Sequence, residues 1–391
     1  MKKHALLLWI LGTGVFGILN TEMGMIGILP YIAENFSVPI SEAGLLISLF
    51  ALVVAVSGPT MPLLMSRFNR KYVMLLVLGI FVAGNLISAL TTSFGVLLAA
   101  RIIPAFFHPV YCSLAFVAAA ASVPEKEAPD AVGKVMIGTA AGMVVGVPVS
   151  NWLAVTFNLH ISLLFFAAVT AVAFVATLIF VPSMPVKERM SYGSQVRVLK
   201  RKNVWLAIFA IIFMNGAVFG VFSYLADYLR QAALVPDVWV SPLLFVYGIA
   251  NVIGSFFSGR LIVWNPKRLF LAYPLALTAL YLALAALHNS MGVLAVLILV
   301  WGIIGGINAN MNQFLITQAA PEAKDFASGL FLTSANIGTM LGTMLSGVLI
   351  PRLGTASIVA SGILFALCSL PFLFASFSAK QNMQNVAQIY N

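Results

Sequence analysis

Apolar residues in this chain come in runs of about twenty, with short polar breaks between them, and they do not alternate with polar ones. Segmenting on the breaks gives twelve stretches, at 5–32, 42–65, 71–92, 95–122, 131–155, 160–182, 204–230, 240–263, 267–288, 290–319, 325–350 and 355–377. Each can cross a hydrocarbon core of about 30 Å at a helical rise of about 1.5 Å per residue. Strands of a membrane barrel would be about ten residues long and would alternate apolar with polar positions, so a barrel is excluded. The pattern predicts an all-α membrane protein of twelve spans. The stretch Ala5 to Tyr31 follows Lys2-Lys3 as a signal sequence would. It is too long for one and offers no convincing small-residue cleavage site, so it reads as the first span.

Composition agrees: 61% of the 391 residues are hydrophobic and 8% charged, with a mean hydropathy of +1.04. A soluble domain carries about a quarter charged residues. The net charge of +10 is explained by where the cations lie. One set of loops and ends holds Lys2, Lys3, Arg67, Arg70, Lys71, Lys126, Lys134, Lys187, Arg189, Arg197, Lys200, Arg201, Lys202, Arg260, Lys267, Arg268, Lys324 and Lys380. The other holds only Arg230 and Arg352, beside Glu34, Glu42 and Asp237, while Arg101 lies inside a span. Positive charge gathers on the cytoplasmic side, so both termini are expected there, in a cell inner (plasma) membrane. Anionic lipid then accounts for the cations, and no nucleic-acid partner is needed.

The longest interior polar segment, 183–203, is basic and follows span six. It divides the chain into a six-helix bundle at 1–182, a cytoplasmic linker and a second bundle at 204–391, a layout expected of transporters with a solute site at the membrane midplane. Cys112 and Cys368 fall within spans and imply no disulfide framework. Gly12, Gly14 and Gly17 spell G-x-G-x-x-G without the strand that a dinucleotide site requires. No Walker sequence, H-E-x-x-H, G-x-S-x-G or Cys/His metal spacing occurs, so neither enzyme nor ATP-driven pump is expected, and no metal or cofactor.

An ionisable group at mid-membrane is costly unless it is paired or meets water, which makes Glu22, Arg101 and His108 functional candidates. At about 1.5 Å per residue, Glu22 lies about 25 Å from the cytoplasmic end of its span, Arg101 about 31 Å and His108 about 21 Å. Arg101 and His108 are two turns apart and share a face with Tyr111 and Cys112. Spans one and four lining one cavity would set a carboxylate beside a guanidinium and an imidazole, which suits proton loading and release. A static buried pair is the competing reading. Asp227, near the far end of span seven, reads as interfacial and solvated. Glycines at 138, 142 and 146, followed by Pro148, give span five a smooth stripe for close helix approach, as do Gly302 with Gly306 and Gly338 with Gly342.

Taken together the chain resembles the major facilitator superfamily, in particular its twelve-span drug:proton antiporters and sugar-efflux permeases. Met65-Ser66-Arg67-Phe68-Asn69-Arg70-Lys71 is similar to the superfamily's cytoplasmic signature G-x-L-a-D-r-x-G-r-[RK]. Pro62, Ser66 and Asn69 replace its first Gly, its Asp and its second Gly, and Asn tolerates the left-handed backbone that Gly would supply. The family's Asp helps latch the outward-open state against span eleven, and Ser66 stands in its place here. Arg101 matches the Arg of l-x-x-x-R-x-x-q-G, with Pro104 and Ala105 in place of the Gln and Gly. Gly142 to Pro148 is similar to the antiporter segment of span five, with the proline displaced by one and Ser150-Asn151 where more glycine is usual. Thr21-Glu22-Met23-Gly24 resembles the acidic span-one motif of the twelve-span exporters. The resemblance implies a major facilitator fold of two pseudo-symmetric six-helix bundles, Glu22 as the proton-linked acid, and Arg67, Arg70, Lys71, Gly142, Gly146 and Pro148 in conformational switching; Arg101 and His108 join Glu22 as proton-coupling candidates by their placement.

The solute-lining candidates in the first half are Asn20, Met23 and Tyr111. In the second half Trp301, Gly305, Asn308 and Asn312 form one stripe on span ten. Asn215 and Phe219 with Phe222 lie on span seven, and Asn251 and Asn336 on spans eight and eleven. Amides with aromatics suit a neutral or weakly charged solute, although an Asn also stitches membrane helices together. The expected protein is a functional monomer in contact with membrane lipid that exports a drug-like amphiphile, sugar or nucleoside in exchange for protons. Uptake by proton symport or facilitation uses the same residues and is the alternative; a membrane enzyme or receptor lacks any catalytic constellation.

Overall fold

The computed structural model describes residues 2–124, 127–185, 193–287 and 290–389, and leaves the side chains of residues 2–4, 129, 194, 324–325 and 378–389 undescribed. Among the expected loop cations, Lys126, Lys187 and Arg189, and the side chains of Lys2, Lys3, Lys324 and Lys380, lie outside the described residues.

Among the described residues twelve helical segments are long and apolar enough to cross a membrane, and they serve below as spans one to twelve: Ala5–Phe36, Ile40–Ser57, Arg70–Leu90, Phe94–Ala121, Asp130–Thr156, Leu159–Phe180, Lys202–Ala232, Asp237–Trp264, Pro266–Leu287, Met291–Ala319, Phe326–Leu353 and Thr355–Phe377. The all-α architecture is thus the one the apolar runs require. Large apolar side chains such as Val96, Val172, Ile179, Phe256 and Val263 stand exposed, as lipid-facing positions would.

Four spans depart from the simple helices expected. Span two ends at Ser57, and a turn through Gly58-Pro59-Thr60 leads to a separate short helix, Met61–Met65; Pro59 lacks the N–H that would continue the ladder. Span four is two helices, Phe94–Ala105 and His108–Ala121, parted just after Pro104. Span five passes through a wide π turn at Gly142–Gly146. Span seven breaks after Phe222, resumes at Leu225–Asp227 and continues as a second π turn, Tyr228–Ala232. In such turns the backbone hydrogen bonds slip by one residue, a feature frequent at functional positions.

By packing, the chain forms two compact units, Met1–Ser191 with Leu225–Gly248, and Tyr192–Tyr224 with Ile249–Asn391. In the first, span one packs against spans four, five and six, and span three against span six. Leu11, Val15 and Ile18 of span one meet Val77 and Phe81 of span three and Val110 of span four in its core. The second unit repeats the plan: span seven packs against spans ten, eleven and twelve, and span nine against span twelve. Small residues permit the closest approaches. A Cβ at Gly142 would stand 2.6 Å from that of Leu19, and one at Gly306 would collide with the backbone carbonyl of Asn251.

The corner between spans two and three is held from its own unit. The Asn69 side chain accepts from the amides of Lys71 (3.1 Å) and Met184 (3.2 Å) and donates to Ser183 Oγ (2.7 Å). Lys71 Nζ donates to the carbonyl of Leu178 at 2.9 Å, and the Arg67 guanidinium lies 5.0 Å from the centre of the Phe68 ring. Asn69 has φ −57° rather than a left-handed backbone. It stands where glycine was expected because its side chain caps span three, a role glycine cannot fill. Asn265 repeats the device before span nine, accepting from the Arg268 amide at 3.0 Å.

Candidate functional site

Span one carries Glu22, a largely buried acid of the first unit. Glu22 Oε2 lies 3.0 Å from His108 Nε2, with side-chain exposures of 15% and 6%. The two stand at ion-pair distance without the alignment of a full hydrogen bond, and His108 Nδ1 has no protein hydrogen-bond partner. The break in span four puts His108 in the first turn of the helix His108–Ala121, where the imidazole packs edge-on to Phe50 at 6.0 Å.

Arg101 does not pair with Glu22 as expected. Among the described residues no carboxylate lies within ion-pair distance of it. Its guanidinium donates to the carbonyl of Thr21 at 2.6 Å and lies 5.4 Å from the centre of the Phe50 ring. A helical carbonyl has a second lone pair, so Thr21 can hold the guanidinium in addition to its own helix bond. The Thr21 hydroxyl donates to Gly17 O at 2.9 Å and accepts from Asn85 Nδ2 at 3.0 Å; the same amide lies 3.4 Å from Thr170 Oγ1. Spans one, three, four and six are thus tied together one residue before Glu22.

Of the solute-lining candidates here, Asn20 is fully buried and its amide has no protein partner. It faces the Gly146 position, where a Cβ would meet its Oδ1 at 2.5 Å. Tyr111 is fully buried, its ring filling the space beside Gly14, and Met23 is half-buried. Pro148 is buried in span five. Ser150 Oγ donates to Gly24 O (2.7 Å) and Asn151 Nδ2 to Gly27 O (2.7 Å), so the residues that replace glycine there stitch span five to span one.

In the second unit Asn308 Nδ2 donates to Asn215 Oδ1 at 2.9 Å, and Asn215 Nδ2 donates to Ala335 O (2.6 Å) and Thr339 Oγ1 (2.9 Å). This amide chain joins spans seven, ten and eleven. Asn308 Oδ1 and both polar atoms of Asn312 are buried without a protein partner. Trp301 is enclosed edge-on by Phe222 (6.3 Å) and Tyr281 (5.6 Å), and Phe219 packs on Phe222 at 5.9 Å. Asn336 turns back to its own helix, donating to Leu332 O, while Asn251 meets span ten through its backbone at Gly306.

Asp227 is only 5% exposed, so the solvated position expected for it is wrong: the end of span seven folds into the first unit. Sequence reasoning also passed over Asn85 and Phe50. A lone amide in the middle of span three was a readable signal; an aromatic ring among many was not. Among the described residues no group of three or more His, Cys, Asp or Glu side chains could hold a metal ion.

Twelve membrane-length helices with an acid–imidazole contact inside two of the spans describe a polytopic membrane protein with ionisable groups within its bundle. The sequence profile of the Major Facilitator Superfamily matches residues 11–343 and 240–388, and the chain belongs to that family of small-solute transporters. It is 31% identical over 360 residues to the uncharacterized MFS-type transporter YtbD of Bacillus subtilis (strain 168), covering 90% of each chain. It is 28% identical over 367 residues to the inner membrane transport protein YdhP of Escherichia coli (strain K12), covering 94% of each. A probable sugar efflux transporter of Helicobacter pylori (strain G27) is 28% identical over 381 residues, with 95% of each covered. Among solved structures, a bacterial homologue of the human lysosomal transporter Spinster superposes with a TM-score of 0.79 at 18% identity, covering 96% of this chain and 97% of that one.

Proposed function

We propose that this transporter exports a small organic solute in exchange for protons by alternating access, with both termini cytoplasmic. The observation that carries the reading is the Glu22–His108 contact at 3.0 Å. An acid facing an imidazole inside membrane spans is the kind of pair through which a carrier can take up and release a proton. Arg101 serves coupling indirectly, by holding the backbone from which Glu22 projects. Each unit by itself offers an orphan amide that a polar solute would satisfy, Asn20 in the first and Asn312 in the second. The relative named a probable sugar efflux transporter favours a sugar-like solute and the outward direction. Arg67, Arg70, Lys71, Gly142, Gly146 and Pro148 take part in the conformational change.

The test is purified protein in liposomes with an imposed pH gradient, an entrapped pH dye and a panel of labelled pentoses, hexoses, nucleosides and cationic dyes. Accumulation of a panel member into vesicles with an acid interior, with protons leaving as it enters, is expected. Accumulation only into vesicles with an alkaline interior would instead establish symport.

A further inference from the structure

Arg230 is one of the two loop cations that the sequence pattern sets apart from the basic loops, and the structure gives it three partners. Its Nε donates to Asp237 Oδ1 at 2.9 Å and its Nη1 to Glu34 Oε1 at 2.9 Å, while the guanidinium lies 4.6 Å from the centre of the Tyr31 ring. Tyr31 and Glu34 end span one; Asp237 opens span eight; Arg230 itself sits in the π turn that ends span seven. The corner that follows is tightly shaped, with Leu234 held at φ +51° and the Val235 amide bonded to Leu229 O at 2.8 Å. A left-handed leucine is unfavourable, so the surrounding contacts must fix this corner.

Two further contacts lie below it. Ser241 Oγ donates to Asn151 Oδ1 at 2.6 Å, and Asn151 in turn holds Gly27 O of span one. About two turns on, Gly248 lies so near Val144, within the π turn of span five, that a Cβ would stand 2.8 Å from the Val144 Cα. The segment Leu225–Gly248 therefore packs with the first unit, although the chain on both sides of it belongs to the second.

We propose that Arg230 is the clasp of this face: it ties the end of span one to the corner of spans seven and eight, and releasing it is a required step in opening the face to solvent. The proposal rests on the alternating-access reading. Arg rather than Lys is used because one planar guanidinium serves two carboxylates and a ring face together, which an ammonium on a flexible stem does not. The Arg230 side chain is 15% exposed while Glu34 and Asp237 are 59% and 48% exposed, so the clasp is sheltered on one side and within reach of salt on the other.

Val240, fully buried in this segment, reports the state of the clasp when it is replaced by cysteine. The full chain in sealed vesicles is treated with a membrane-impermeant maleimide from each side in turn, and the parent, with Cys112 and Cys368 alone, supplies the blank. Adding Arg230→Ala to Val240→Cys should speed labelling about tenfold, since two partly exposed ionic arms of about 0.7 kcal/mol each are lost. Glu34→Gln with Asp237→Asn should act in the same direction, and Arg230→Lys should fall between. Rates within twofold of the Val240→Cys chain in both Arg230→Ala and the double carboxamide variant would overturn the clasp. Should Arg230→Ala fail to accumulate, the double variant decides by the same criterion, because both its side chains are half-exposed. Labelling needs neither solute nor gradient: altered labelling with no solute movement would sink only the transport reading, and intact transport with unaltered labelling only the clasp.

Discussion

Glu22→Gln removes the charge of the buried acid while keeping its volume and most of its hydrogen-bonding capacity. With Oε2 3.0 Å from His108 Nε2, full charges at an effective dielectric of about 20 attract by about 5 kcal/mol, a ceiling that desolvation of both groups cuts back. An imidazole can give up its proton when its partner is neutralised, so the variant is not left with an unpaired buried charge, and its folding cost should stay near 1 kcal/mol. Function should respond quite differently. Without a group that loads and releases a proton on span one, flux driven by a pH gradient should fall by about a hundredfold or more, roughly 2.7 kcal/mol. Exchange of labelled for unlabelled solute with no gradient needs no proton step and should persist within about threefold. Both fluxes are measured on one preparation in liposomes, so the ratio cancels protein loss. His108→Gln should reduce the same ratio, and the double variant should be no worse than Glu22→Gln, as expected of residues acting as a unit. Gradient-driven flux in Glu22→Gln within threefold of the parent would refute the reasoning, since no second intramembrane acid could then be dismissed as the carrier.

Asn312→Ala removes an amide with no protein partner and should raise KM about tenfold with an unchanged melting temperature, whereas Asn308→Ala breaks the bond to Asn215 and should lower the melting temperature; thermal shift beside transport kinetics reads both. Gly306→Ala sets a methyl against the Asn251 carbonyl and should cost about 1–3 kcal/mol, while Gly292→Ala, with nothing near its Cβ, should leave the melting temperature unchanged. Asn85→Ala cuts the links to Thr21 and Thr170 and should cost about 0.6–2 kcal/mol in thermal stability, with slower turnover but retained gradient dependence.

The spans were legible because length and apolarity are local quantities: a run able to cross a membrane reads the same whatever it packs against. Interruptions were less so. Pro59 and Pro104 mark the breaks in spans two and four, yet Pro30, Pro242 and Pro274 sit inside unbroken helices, because neighbours in a membrane bundle can satisfy the freed backbone groups. The π turns left no signal of their own. The glycines of span five announce close packing, and only the register against Leu19 and Asn20 makes that packing coincide with an offset ladder. Asp227 misled for a related reason. Its distance along span seven puts it near a membrane boundary, but the boundary there is covered by protein rather than water.

The choice of partner for Glu22 was beyond the sequence because Arg101 and His108 share a helical face and bracket the acid in depth, so spacing alone admits either. What separates them is a backbone carbonyl, an acceptor that every residue possesses. Thr21 becomes special through its surroundings: its hydroxyl meets Asn85, its carbonyl meets Arg101, and Asn85 reaches on to Thr170. Span one is gripped there from spans three, four and six, and Glu22 projects from a fixed point toward His108. An acid on a held backbone can change charge without moving the helix that carries it. Movement must then be expressed where the backbone is already irregular, and Gly142–Gly146 and Tyr228–Ala232 are such places on two spans. Both touch span one, at Leu19-Asn20 and at Tyr31-Glu34, on either side of Glu22 in sequence. On the proton-exchange reading proposed above, span one is the element through which the charge state of Glu22 would bias both irregular turns, without a rearrangement of the first unit's core.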